Sequence, residues 1–112
     1  MRLRTETVGD VMVAHVDEGR IDAAGAVEFK GRLRDALDGH DGHLVIDLAA
    51  VEFLDSSGLG ALVAVMKMLG GRPLELAAPG PIVRRVLSLT RMDEVFVLHD
   101  DRDAALASAR AA

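Results

Sequence analysis

The run LVIDL at positions 44–48 constrains the fold more than any other stretch of this chain. It is apolar apart from one acid and does not alternate toward water, so it reads as a strand inside a sheet covered on both sides. Such strands belong to parallel sheets, and the flanking sequence supplies the pattern they require. LRTETVGDVMVAHV carries two β-prone runs around Gly9 and Asp10, which predicts a hairpin with strands near 2–8 and 11–17. Asp22 can cap a helix in which Ala26, Phe29, Leu33, Ala36 and Leu37 recur at steps of three and four. The glycine and histidine stretch DGHDGH ends that helix and leads into the 44–48 strand.

Beyond the central strand, the spacing predicts a helix over 56–69, a strand in PLELA and a helix from APGP through Val83, Val86, Leu87 and Thr90. A last strand is expected in VFVL at 95–98, followed by an alanine-rich terminal helix capped at Asp100 or Asp101. The predicted order is β-β-α-β-α-β-α-β-α. It implies one α/β domain over 1–112, with about four helices on a mixed, mostly parallel sheet of about five strands, and no internal repeat.

Composition narrows the function. With no cysteine, disulfides and thiolate metal sites are impossible. Thirteen basic residues against eighteen acidic ones, with three phenylalanines as the only aromatics, leave neither a phosphate-neutralising surface nor a stacking platform for nucleic acid. No apolar run approaches the roughly 20 residues of a membrane span, and the first ten residues lack the apolar stretch of a signal peptide, so a soluble cytoplasmic protein is expected. His40 and His43 are better read as part of an exposed turn than as metal ligands, and His15 and His99 stand singly near strand ends.

Chemistry concentrates in FLDSSGLGALVAVMKML at 53–69. Asp55, Ser56 and Ser57 all suit a helix N-cap and Gly58 suits the turn, so the knot can be read as a simple helix start. The same position also suits a modified hydroxyl, since the free N–H groups and partial positive charge of a helix N-terminus tolerate phosphate. Phosphoserine would add about −1.5 to −2 charge beside Asp55 and would penalise a partner more than the fold. Two apolar stripes follow: Leu59, Leu62, Val63, Met66 and Leu69 on one side, and Ala61, Ala64, Val65 and Met68 on another. If the first faces the core, the second is a small-residue contact patch beside Ser56; periodicity alone does not choose.

FLDSSGLGALVAVMK, preceded by LVIDL and by GRIDAAGAVEFKGRL, resembles STAS domains of the bacterial anti-sigma factor antagonist type across essentially the whole chain. The resemblance implies a non-enzymatic, phosphorylation-switched binding protein that needs no cofactor or metal of its own and acts in signal transduction and transcription regulation. Ser56 maps to the phosphoacceptor, with Ser57 the lesser candidate and a helix-cap or hydrogen-bonding role its main one. Asp55 matches the acid before that serine, Asp22 matches the aspartate that opens the first helix near the switch loop, and Gly58, Leu59 and Gly60 complete the motif. With Ala61, Ala64, Val65 and Met68, these residues form the expected switch and docking surface. The implied partners are an anti-sigma factor that is also an ATP-dependent serine kinase, and a PP2C-type phosphatase. The unphosphorylated form would bind the kinase and free the sigma factor; whether the chain is a monomer or a weak dimer is left open.

A constitutive STAS subunit of a transport or signalling complex is the main alternative, and it would not require the serine. A receiver-like domain phosphorylated on Asp55 lacks the acidic pair and the lysine that its metal-assisted chemistry needs. A hydrolase elbow fails because Leu54 stands at its first glycine position, and a phosphate loop fails because no lysine follows the glycines.

Overall fold

A computed structural model describes residues 1–111. Its main sheet has the spatial order β1 (Leu3–Val8), β2 (Val11–Val16), β4 (His43–Asp47), β6 (Leu74–Ala77) and β7 (Val97–His99). β1 runs antiparallel to β2 through a turn whose Gly9 has φ +62°, and every other pair is parallel. β4 lies at the centre, with Leu44, Val45 and Ile46 fully buried, as a strand covered on both faces must be. The helices are α1 (Ala23–Ala36), α2 (Ser56–Lys67), α3 (Pro81–Leu89) and α4 (Arg102–Ala111). None is long and apolar enough to cross a membrane among the described residues.

Strand alternation divides the core. Met12, Ala14, Leu44, Ile46, Leu74 and Leu76 face α1, α2 and α3 and meet Phe29, Leu33, Leu62, Val65, Val83 and Leu87. Val11, Val13, Val45 and Ala77 face the opposite way and, among the described residues, cluster with Ala105 and Leu106 of α4, with Val8 and Ala109 at the margin. The thinly packed α4 is also tied by charge. Its Arg102 holds Glu6 of β1 through both Nε and Nη2, the latter contact 3.0 Å long.

One boundary differs from the sequence reading, one is narrowed to a single residue, and two short strands are added. The last strand is Val97–His99 rather than 95–98, because Arg91 turns into the left-handed region (φ 59°) and a 3₁₀ turn follows at Met92–Glu94. The Phe96 N–H then donates to the Met92 carbonyl at 2.9 Å instead of joining the sheet, although the Phe96 ring is still buried. The α4 cap is Asp101, whose carboxylate accepts the Ala104 N–H at 2.7 Å. Two short strands, β3 (Arg20–Ile21) and β5 (Phe53–Leu54), were not foreseen; they pair in parallel as a separate ribbon.

Packing at that ribbon explains one glycine. A Cβ on Gly58 would lie 2.7 Å from the Ile21 carbonyl oxygen and 3.0 Å from the Leu54 Cβ, so only glycine lets α2 start this close to β3. Gly60, two positions further on, would direct a Cβ into open space. In urea unfolding, Gly58→Ala is therefore expected to cost about 1–3 kcal/mol, the usual range for overpacking. Gly60→Ala should instead stabilise by about 0.5–1 kcal/mol through helix propensity.

The Arg102 and Glu6 clamp has a pH signature. Arg102 foremost, and His15 after it, hold the Glu6 carboxyl at about 2 against an ordinary 4.5. A carboxylate depressed in the folded state contributes stability that is complete above its unfolded value and is lost as pH falls through the folded one. Wild type should thus lose more stability than Glu6→Gln between pH 4.5 and 2, measured by thermal unfolding. The difference is expected to be modest, since the Glu6 side chain is 36% exposed and water screens the pair.

Candidate functional site

The β3 and β5 ribbon builds the site. Arg20 pairs with Phe53 and Ile21 with Leu54, and both chains then leave the ribbon into a helix through an aspartate. This shared register carries Asp22 and Asp55 to neighbouring positions at the N-termini of α1 and α2. Their backbones nearly coincide, with φ −98° and ψ −172° at Asp22 and φ −93° and ψ −170° at Asp55. Each carboxylate accepts the N–H of the glycine three residues on, Asp22 from Gly25 at 3.0 Å and Asp55 from Gly58 at 2.9 Å. The site is therefore a pair of matching Asp-x-x-Gly starts, Asp22-Ala23-Ala24-Gly25 beside Asp55-Ser56-Ser57-Gly58.

Ser56 is the first residue of α2, and it and Ser57 are exposed. Asp55, not Ser57, makes the side-chain cap. At the first helical positions the backbone N–H groups have no partner within the helix, so Ser56 lies in the partial positive field of α2, with α1 starting alongside. Exposed Asp22 and Glu52 and half-buried Asp55 surround this mouth with carboxylates. On the cation side, exposed Arg20 lies with its guanidinium carbon 5.7 Å from the centre of the Phe53 ring. Phe53 is itself 41% exposed, which adds an aromatic edge to a polar surface.

The structure separates the residues that the sequence grouped as one docking face. Ala61 and Val65 are buried in the core with Gly58, Leu62 and Leu69, so they cannot offer side chains to a partner. Neither predicted stripe is the inward face; the buried line runs between them. The reason is the close approach at Gly58, which rotates the 58, 61, 62, 65, 69 line onto the core. Asp22, Asp55, Ser56, Ser57 and Gly60 are at least partly exposed at the open end, and Leu59, Ala64 and Met68 are half-buried.

Two arrangements escaped the sequence reading. The duplicated cap could have been found from the Asp-x-x-Gly spacing, which occurs twice after an apolar residue. The histidines also acquire partners through the fold: His15 contacts Asp47 and Glu6, and the buried Glu75 carboxylate meets His99 at 2.8 Å and His43 at 2.9 Å, the latter opening β4 half-buried rather than lying in an exposed turn. These pairs span 24 to 32 residues, except His15 and Glu6, which are diagonal neighbours across the hairpin, so local spacing gave little sign of them.

Comparison with known proteins places this geometry. The model of the STAS domain family matches residues 2–105. The anti-sigma-F factor antagonist RsfB of Mycobacterium tuberculosis is 33% identical over 93 residues, which cover 82% of this chain and 76% of RsfB. The crystal structure of an anti-sigma factor antagonist from Mycobacterium paratuberculosis superposes with a TM-score of 0.86 at 36% identity, covering 97% of this chain and 93% of that one. The phosphorylated form of the Bacillus cell fate determinant SpoIIAA, at 19% identity, shares the fold with a TM-score of 0.72 over 96% of this chain and 98% of its own. A strand, an aspartate cap and an exposed serine at the head of a helix packed this way, together with those matches, make the chain a member of the STAS domain family, within its anti-sigma factor antagonists.

Proposed function

We propose that the chain is a binding protein whose unphosphorylated form engages an anti-sigma factor with serine kinase activity, and whose phosphorylation at Ser56 ends that engagement. The observation that carries this reading is the exposed Ser56 hydroxyl at the first position of α2, between two capped helix N-termini. Folding imposes no penalty on a phosphate there, since the group stays in water and meets favourable helix dipoles. SpoIIAA, which has this fold, has been solved in a phosphorylated form, which supports the same tolerance.

A partner would feel the phosphate differently. Asp22 and Asp55 already make the mouth acidic, and phosphate adds about −1.5 to −2 more, roughly doubling the local charge. A partner surface shaped for the carboxylates and the small Ser56 hydroxyl would have to desolvate this charge without matched donors, and repelled or unpaired charges at interfaces commonly cost about 2–5 kcal/mol. The switch thus acts on association and leaves the fold in place. In this reading ATP and its metal belong to the kinase, a PP2C-type phosphatase restores the hydroxyl, and the chain itself performs no catalysis. The relatives' names support the output, since they describe antagonists of anti-sigma factors.

Docking would use the mouth itself, meaning Asp22, Asp55, Ser56, Ser57 and the exposed backbone at Gly60. The half-buried flank of Leu59, Ala64 and Met68 would contribute less, and Ala61 and Val65 would act only by shaping the helix from within.

Incubation with ATP and candidate anti-sigma kinases should place phosphate on Ser56 when the site is mapped by mass spectrometry. Calorimetric binding should show Ser56→Ala retaining wild-type affinity and Ser56→Glu binding at least about tenfold more weakly, with both folded by circular dichroism. Equal affinities for the two variants would favour a constitutive scaffold.

A further inference from the structure

We infer that His15 works as an imidazolium, and that its proton closes an electrostatic latch holding α4 against the sheet. This inference is independent of the reading of Ser56. His15 Nδ1 lies 2.7 Å from Asp47 Oδ2, and His15 Nε2 lies 2.9 Å from Glu6 Oε1. A neutral imidazole has one N–H and one lone pair, so it would face one of these carboxylates lone pair to lone pair. Only the doubly protonated ring donates to both. Glu6 does not supply the missing proton as a neutral acid, because Arg102 keeps its carboxyl at about 2. Asp47 is engaged at its other oxygen, where Oδ1 accepts the Ala49 N–H at 3.0 Å.

The contacts form a continuous chain from α4 into the sheet: Arg102 of α4 to Glu6 of β1, Glu6 to His15 of β2, and His15 to Asp47 of β4. Inward of Arg102, the helix offers the sheet only Ala105, Leu106 and the partly buried Ala109. These three side chains, two of them alanine, cover Val11, Val13, Val45 and Ala77 in a narrow apolar seam, and the charged chain adds to it at the edge. The His15 and Asp47 side chains are 12% and 15% exposed, and charge-assisted hydrogen bonds that little hydrated are stronger than surface pairs.

Other charges face the latch from every side. Arg4 on β1 pairs with Asp17 just past β2, at 2.6 Å. Asp103 on α4 accepts a second bond from Arg102. Further along the face that α4 covers, Glu75 of β6 binds His43 of β4 and His99 of β7, and Arg84 of α3 lies 3.5 Å from Asp100 before α4. The Glu75 cluster is satisfied by neutral rings, since each histidine needs to donate only one N–H to the carboxylate. The His15 cluster is not, and that difference makes it the proton-dependent element.

Nitrogen-15 spectra of the imidazoles, followed through a pH titration alongside amide exchange protection corrected for intrinsic rates, test this on the full chain. Both His15 nitrogens are expected in the imidazolium pattern wherever α4 is protected. As the ring loses its proton, protection of α4 should fall roughly tenfold, the scale of one charge-assisted hydrogen bond, while α2 protection stays level. In His15→Gln the step should be absent, with α4 protection already reduced. Glu6→Gln, which keeps the side-chain size, should abolish it as well and serves should His15→Gln fail to fold. A His15 ring with a single N–H beside a fully protected α4 would overturn the inference. So would the same α4 profile in wild type and His15→Gln, which would assign the dependence to His43, Glu75 and His99.

Discussion

The parallel pairing of two dipeptides, Arg20-Ile21 with Phe53-Leu54, is the constraint on which the site depends. It lies outside the main sheet, contributes the buried Ile21 and Leu54 to the core, and sets the relative position of α1 and α2. The absence of a side chain at Gly58 allows the α2 backbone to reach the Ile21 carbonyl, and with that contact the helix is fixed both in distance and in rotation. Ser56 is exposed, and Ala61 and Val65 are buried, because of the same close approach. Packing and exposure are therefore set together at this point, and the polar knot between a strand and an apolar helix both caps that helix and leaves Ser56 exposed.

The sheet divides the electrostatics in a similar way. On one face, three helices cover an apolar core. On the other, one short helix covers a small apolar centre flanked by two histidine and carboxylate clusters. Burying Glu75 is tolerated because both of its oxygens are bonded, which meets the requirement that buried polar groups find partners. Burial of charge is thus confined to the side of the sheet opposite α1, α2 and α3, and the face that supports the serine is left free of polar demands.

Much of this architecture was legible in the sequence because local rules agreed with the final fold. LVIDL marked the central strand through its unbroken apolar character, and Asp22 and Asp55 marked two helix starts by capping chemistry. The rest required contacts between distant segments. The β3 and β5 ribbon is two residues wide, too short for any periodicity, and forms only because 31 intervening residues, from Asp22 to Glu52, return the chain alongside itself. VFVL looked like a strand because its residues favour one, but the left-handed turn at Arg91 spends its first half reversing direction. The inward face of α2 was undecided because it is apolar around most of its girth, and the tie was broken by a backbone contact from β3 rather than by α2's own pattern.

The twinned helix starts carry a consequence of their own. Ala23 occupies on α1 the place that Ser56 occupies on α2, each behind an aspartate cap whose backbone angles match the other's. An enzyme that recognised nothing more than this local shape would meet two equivalent presentations on one molecule. A methyl group stands on one and a hydroxyl on the other, so under the proposed switch the domain would hold a single bit of information although its scaffold offers two slots for writing it.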